Sequence, residues 1–145
     1  MRFEKSVVIN APAEKVFAYV SDLTNMSEWG SFMTQVVKTS EGPIGVGTTF
    51  DAGGKQFGKH TDKTTVTELV PGKRFVAESR GDAGHTLNSF VVEDQGGTTK
   101  LTKALEFVKK SASSTLGTPL VKRIAPKGLE KDLARIKANI EGSVA

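Results

Sequence analysis

Two titratable side chains at a two-residue spacing, His60 and Asp62, are the first candidates for chemistry in this sequence. In an extended strand, residues i and i+2 share a face. An inward Val66 would therefore carry Thr64, Asp62 and His60 inward with it. A carboxylate beside an imidazole favours the charged ring and fixes its tautomer. Such a pair can pass a proton to or from a ligand carbonyl or hydroxyl. The competing reading is a wet, inert strand at the sheet rim, because Lys59 and Thr61-Asp62-Lys63 make the stretch very polar. A bulge would also turn the pair to the other face.

The second set consists of polar side chains in apolar company. Lys103 shares its strand face with Leu101, Leu105 and Phe107. A lysine there can anchor an anionic head group, or run its stem outward and leave the charge in water. Asn88 shares a face with Phe90 and Val92, where it can orient a ligand or satisfy a backbone group. Trp29 offers a flat wall for a ring-containing ligand or a plug in the core. The candidate binding set is thus Trp29, Phe32, Asn88, Phe90, Lys103 and Leu105, with His60 and Asp62 as candidate catalytic groups.

Several chemistries lack their residues. The chain has no cysteine, which removes disulfides, thiol nucleophiles and Cys-based zinc sites. It has two histidines, His60 and His85, and a metal held by these with Asp62 would need chance alignment of separate strands. No phosphate-binding loop, dinucleotide fingerprint or nucleophile elbow is present. No metal or cofactor is expected, and no nucleic-acid partner.

The elements that must position these residues follow from pattern. The length of 145 residues suits one domain, 1–145, and 37% hydrophobic with 25% charged residues suits a soluble globule. Phe3–Asn10 reads as a strand. Asn10 is expected to cap a helix with Pro12 in its first turn, and Val16, Phe17, Val20 and Leu23 recur at helical spacing. Asp22–Trp29 reads as a second short helix or turn. Strands are expected over Phe32–Thr39, Thr48–Asp51, Gln56–Val70, Lys73–Arg80, His85–Glu93 and Thr98–Lys109. Turns are expected at Gly53-Gly54, Pro71-Gly72, 81–84 and 95–97. Short connections imply an antiparallel meander. Thr118-Pro119 starts a helix to Glu141, roughly 35 Å long at 1.5 Å per residue, which Pro126 should kink or split. Gly142 is a stop.

Charge is unevenly spread. Residues 1–99 carry ten Lys/Arg against twelve Asp/Glu, and residues 100–145 carry ten against four, so +6 sits at the C-terminal end. This makes either a solvated helix face or a surface for an acidic partner or membrane. With no membrane span and no secretory leader expected, a cytoplasmic location is the default.

The sequence resembles the START-like superfamily, also called SRPBCC, and within it the small bacterial polyketide cyclase/dehydratase-like proteins. The resemblance rests on Ile9-Asn-Ala-Pro-Ala-Glu-Lys-Val-Phe17, Ser21-Asp22-Leu23, Glu28-Trp29, Gly45-Val-Gly-Thr-Thr-Phe50, Val66-Thr-Glu-Leu-Val-Pro-Gly72, Gly96-Gly-Thr98 and Gly128-Leu-Glu-Lys-Asp-Leu133. It covers essentially the whole chain and implies an α+β helix-grip: a seven-stranded curved antiparallel sheet around a long C-terminal helix, with two short helices after the first strand. It implies a protein that holds a hydrophobic small molecule, lipid or polyketide-like, between sheet and helix, and an exposed edge strand allows a homodimer as well as a monomer. One alternative is a cyclase/dehydratase enzyme performing aldol closure or water loss through His60 with Asp62, or through Lys103. Another is a stress or toxin–antitoxin component acting through protein contacts.

Overall fold

A computed structural model describes residues 1–31, 35–54, 60–81, 84–109 and 119–142, without the side chains of Gly54, His60, Thr61, Lys109 and Leu120. The elements are β1 (Arg2–Ile9), α1 (Ala13–Ser21), a 3-10 turn (Leu23–Asn25), α2 (Met26–Trp29), β2 (Gln35–Lys38), β3 (Thr49–Gly54), β4 (His60–Val70), β5 (Arg74–Gly81), β6 (Gly84–Asp94), β7 (Thr99–Lys109) and α3 (Pro119–Gly142). The strands form one curved antiparallel sheet in the order β1-β7-β6-β5-β4-β3-β2. From β2 to β7 it is a meander, as the short turns require. β1 and β2 occupy opposite edges, so α1 and α2 carry the chain across one face of the sheet from edge to edge.

The interior face alternates as the side-chain period of a strand demands. Phe75, Ala77 and Ser79 on β5 pair with Phe90, Asn88 and Thr86 on β6. Those in turn pair with Lys103, Leu105 and Phe107 on β7. Phe50, Phe75, Phe90 and Leu101 are fully buried against Val16, Phe17 and Val20 of α1 and Leu133, Ile136 and Ile140 of α3. Each such large side chain contributes about 1.5–3 kcal/mol when removed from water. The helices therefore lie where the sheet's apolar stripe is densest.

Three sequence expectations are corrected. Asn10 does not cap α1. Pro12 is the N-cap residue and makes no side-chain cap bond, while the Asn10 backbone N–H donates to Glu141 Oε2 at 2.8 Å. A proline whose ψ is extended can begin the helix without a capping side chain, and Glu141 of the C-terminal helix fixes the chain just before α1. Gly53-Gly54 is not a turn, since β3 continues through it, paired with Thr61 and His60. Glycine fits a strand when the neighbouring strand holds its backbone, although it contributes no packing. Pro126 does not split the last helix, which runs from Pro119 to Gly142. Its missing N–H removes one i→i−4 bond, and burial of Val121, Ala125, Leu129, Leu133, Ile136 and Ile140 along one stripe outweighs that loss. Gln35–Lys38 is the described part of the strand expected over Phe32–Thr39, and residues 32–34 lie outside the described residues. No described helix is long and apolar enough to cross a membrane.

Candidate functional site

The alternation on β7 turns Lys103 inward between Leu101 and Leu105. The lysine does not reach outward to water, and it is 4% exposed. Its stem crosses toward α3, where Nζ lies 3.8 Å from Asp132 Oδ2, and both side chains are 5% exposed. Asp132 faces inward because it falls three residues after Leu129 and four before Ile136, on the stripe that packs against the sheet.

The surrounding groups hold the carboxylate in place. Ser31, just after α2, donates its hydroxyl to Asp132 Oδ1 at 2.6 Å. Arg135, one turn along α3, donates to the same serine oxygen at 3.3 Å. The end of α2 is thereby tied to the middle of α3, and the carboxylate sits between Lys103 and the Ser31–Arg135 link.

On the sheet side, the ammonium sits among rings. Nζ is 5.6 Å from the Trp29 ring centre and 5.7 Å from that of Phe90. The two rings meet edge to face, 5.7 Å apart at 89°. Ring quadrupoles favour a cation at such distances. Nζ donates to Asn88 Oδ1 at 3.5 Å, at the long limit of a hydrogen bond. Burial pushes the Lys103 ammonium below its ordinary pKa, and Asp132 opposes that shift. Burial likewise pushes Asp132 above the usual carboxylate range, opposed by Lys103 and by the hydrogen bonds from Ser31. The apolar surroundings therefore draw both groups toward neutrality, and their mutual attraction opposes that.

Trp29 is 1% exposed and belongs to the core, yet its Nε1–H finds no acceptor among the described residues. A buried donor without a partner costs on the order of 1–3 kcal/mol.

The described candidate binding residues meet here, and Asp62 lies apart. Lys103, Asn88, Phe90 and Trp29 form one cluster. Leu105, half-buried, pairs with Asn88 beside it. Asp62 is buried on the same face as Thr64 and Val66, as the alternation requires, and the Thr64 and Ser79 hydroxyls bond at 2.7 Å next to it. But Asp62 lies opposite Gly81, which lies opposite Gly84, whereas Lys103 lies opposite Phe90. The two therefore stand three strands apart and about six residues along β6, roughly 20 Å at 3.3 Å per residue. The His60 side chain and Phe32 are outside the described residues. His85 turns to Glu78, Nε2 to Oε1 at 3.3 Å, and no group of three metal-capable side chains occurs among the described residues.

Sequence reasoning missed Asp132 and Ser31. The signal for Asp132 was present: a carboxylate on the apolar stripe of a helix, flanked by Leu129, Leu133 and Ile136. Ser31 carries no such signal, since it acts only through the fold.

The comparisons with known proteins agree with this architecture. The family model described as polyketide cyclase / dehydrase and lipid transport matches residues 1–141. No functionally curated protein matches by sequence. A START superfamily protein from Mycobacterium smegmatis superposes with a TM-score of 0.80 at 19% identity, covering 97% of each chain. The Zhui aromatase/cyclase from Streptomyces sp. R1128 gives 0.77 at 16% identity, covering 100% of this chain and 96% of its own. A protein of Thermus thermophilus gives 0.81 at 16% identity, covering 100% of both chains. At these identities the likeness establishes the START helix-grip fold.

Proposed function

The chain belongs to the polyketide cyclase / dehydrase and lipid transport family, and from that premise we propose that it binds a hydrophobic small molecule, lipid or polyketide-like, between the sheet and α3. One observation carries the reading: a charged pair, Lys103 and Asp132, is kept in an otherwise apolar interior beside Trp29 and Phe90. For packing alone, apolar side chains of similar volume would serve as well or better. A polar locus between rings suits a molecule that is mostly apolar and oriented by a few polar contacts. In this reading Trp29, Phe90 and Leu105 supply apolar surface and Lys103 and Asn88 orient the ligand, with Phe32 joining them on sequence grounds. Native mass spectrometry of the gently purified protein tests it. A co-purified small molecule released by organic solvent is expected, and a ligand-free protein whose melting temperature no lipid or aromatic polyketide shifts would overturn it.

A second reading is an enzyme of the cyclase/dehydratase type. The observation favouring it is the buried lysine beside a carboxylate, an arrangement that tunes an amine for proton transfer. In aldol closure or water loss, Lys103 would give a proton to the ketide oxygen and Asp132 would hold the amine in place. His60 with Asp62 is the other candidate acid–base pair, with the burial of Asp62 in its favour. Turnover of a ketide substrate that vanishes in Lys103→Met but survives in Asp62→Asn would select the first pair, and the opposite result the second.

A further inference from the structure

We propose that Lys103 and Trp29 form an oxyanion subsite, so that the bound molecule is an apolar monoanion ending in a carboxylate or enolate. This deepens, and rests on, the reading that an apolar molecule occupies the interior between sheet and α3.

Three observations lead there. First, the donors outnumber the acceptors. The Lys103 ammonium has three protons, and its neighbours offer one hydrogen bond of 3.5 Å to Asn88 Oδ1 and an ion contact of 3.8 Å to Asp132 Oδ2. Second, Trp29 Nε1–H, in the ring that Lys103 overlies, has no acceptor among the described residues while being 1% exposed. A tryptophan N–H can only donate, so the missing group is an acceptor. Third, the buried ammonium has no close anionic oxygen: Asp132 Oδ1 is taken by the Ser31 hydroxyl, and Oδ2 stands 3.8 Å from Nζ, beyond hydrogen-bond reach.

An oxygen of a carboxylate or enolate meets all three conditions: it accepts from more than one donor, carries one charge and attaches directly to an apolar chain or ring. A neutral alcohol or ester lacks the charge. A phosphate monoester brings close to two charges and more acceptor oxygens than this cluster has spare donors. Charge-assisted bonds of this kind are about twice as strong as neutral ones.

Decanoate, its methyl ester and dodecane-2,4-dione titrated into the full-length protein by isothermal calorimetry provide the test. Decanoate is expected to bind at least about tenfold more tightly than methyl decanoate. Trp29→Phe, which keeps a ring and removes the N–H, is expected to lower decanoate affinity about fivefold and leave the ester unchanged. Lys103→Met is expected to abolish the preference, and Trp29→Phe keeps the test open if that variant fails to fold. Tighter binding of the dione as pH rises through its own ionisation identifies an enolate head group. Tighter binding of decanoate with no such rise identifies a carboxylate, and either supports the subsite. Equal binding of acid and ester in the unaltered protein overturns the subsite and leaves the apolar-ligand reading standing. No binding of any of the three overturns both.

Discussion

Lys103 Nζ on β7 and Asp132 Oδ2 on α3 stand 3.8 Å apart, both side chains 5% exposed, and so join the sheet to the C-terminal helix through a buried charge pair. Removing one member leaves the other charge in an apolar interior. Lys103→Met is expected to destabilise the fold by about 3–5 kcal/mol, and Asp132→Leu by a similar amount. The double variant is expected to recover most of the loss. Urea denaturation of the four proteins measures the coupling, and strictly additive losses would show that the pair does not act as a unit.

How far this pair was legible in the sequence depends on which element carries each partner. Period-2 alternation placed Lys103 with Leu101 and Leu105, and Asp62 with Thr64 and Val66, because a strand has only two faces. A helix spreads its residues around a circle. Asp132 sits among Glu130 and Lys131, and its inward angle shows only when it is counted from Leu129 and Ile136. The fold was legible throughout because turn residues such as Pro71-Gly72 punctuate the strands. The errors were local. The Gly53-Gly54 pair reads as a turn until the pairing with β4 is known, and Asn10 reads as a cap until Pro12 is seen to hold the N-cap position. The bulge between Val66 and Glu68 has no glycine to announce it.

Tyr19 makes a second prediction. Its hydroxyl donates to Glu28 Oε1 at 2.8 Å and accepts from Asn139 Nδ2 at 3.0 Å. Burial, then the Glu28 contact, raises its pKa to about 12 from 10.0. The folded protein therefore holds the phenol proton where the unfolded chain has lost it, and stability falls as pH rises through that interval. As the chain has one tyrosine, absorbance at alkaline pH reads it directly. A midpoint near that of a free phenol would contradict the buried contact. Glu28→Gln should bring the midpoint down.

The β4–β5 turn makes a third. Gly72 has φ +74° and open space where a Cβ would stand, so Gly72→Ala meets no clash and bears only backbone strain. A loss of about 1 kcal/mol is expected. Gly45 also has open space but no positive φ, so Gly45→Ala should be neutral or stabilising by a few tenths of a kcal/mol. Thermal melts of the two variants compare them, and equal effects would contradict the role of φ.

Pro126 makes a fourth. It lies inside a continuous helix, where its ring lacks the N–H that residue 122's carbonyl would accept. Pro126→Ala is expected to stabilise the protein by roughly 1–3 kcal/mol. A loss of stability would mean that the proline shapes the helix for its packing on the sheet.

The central claim is that an apolar molecule lies beside Lys103 and Trp29 between the sheet and α3. Trp29 is the chain's one tryptophan, and its emission therefore reports from that place alone. Titration with 1-aminoanthracene, a neutral ring compound that accepts energy from indole, tests the claim most directly. Saturable quenching of Trp29 emission, with matching sensitised emission from the probe and displacement by decanoate, is the predicted result. A linear, unsaturable response with no displacement would contradict it.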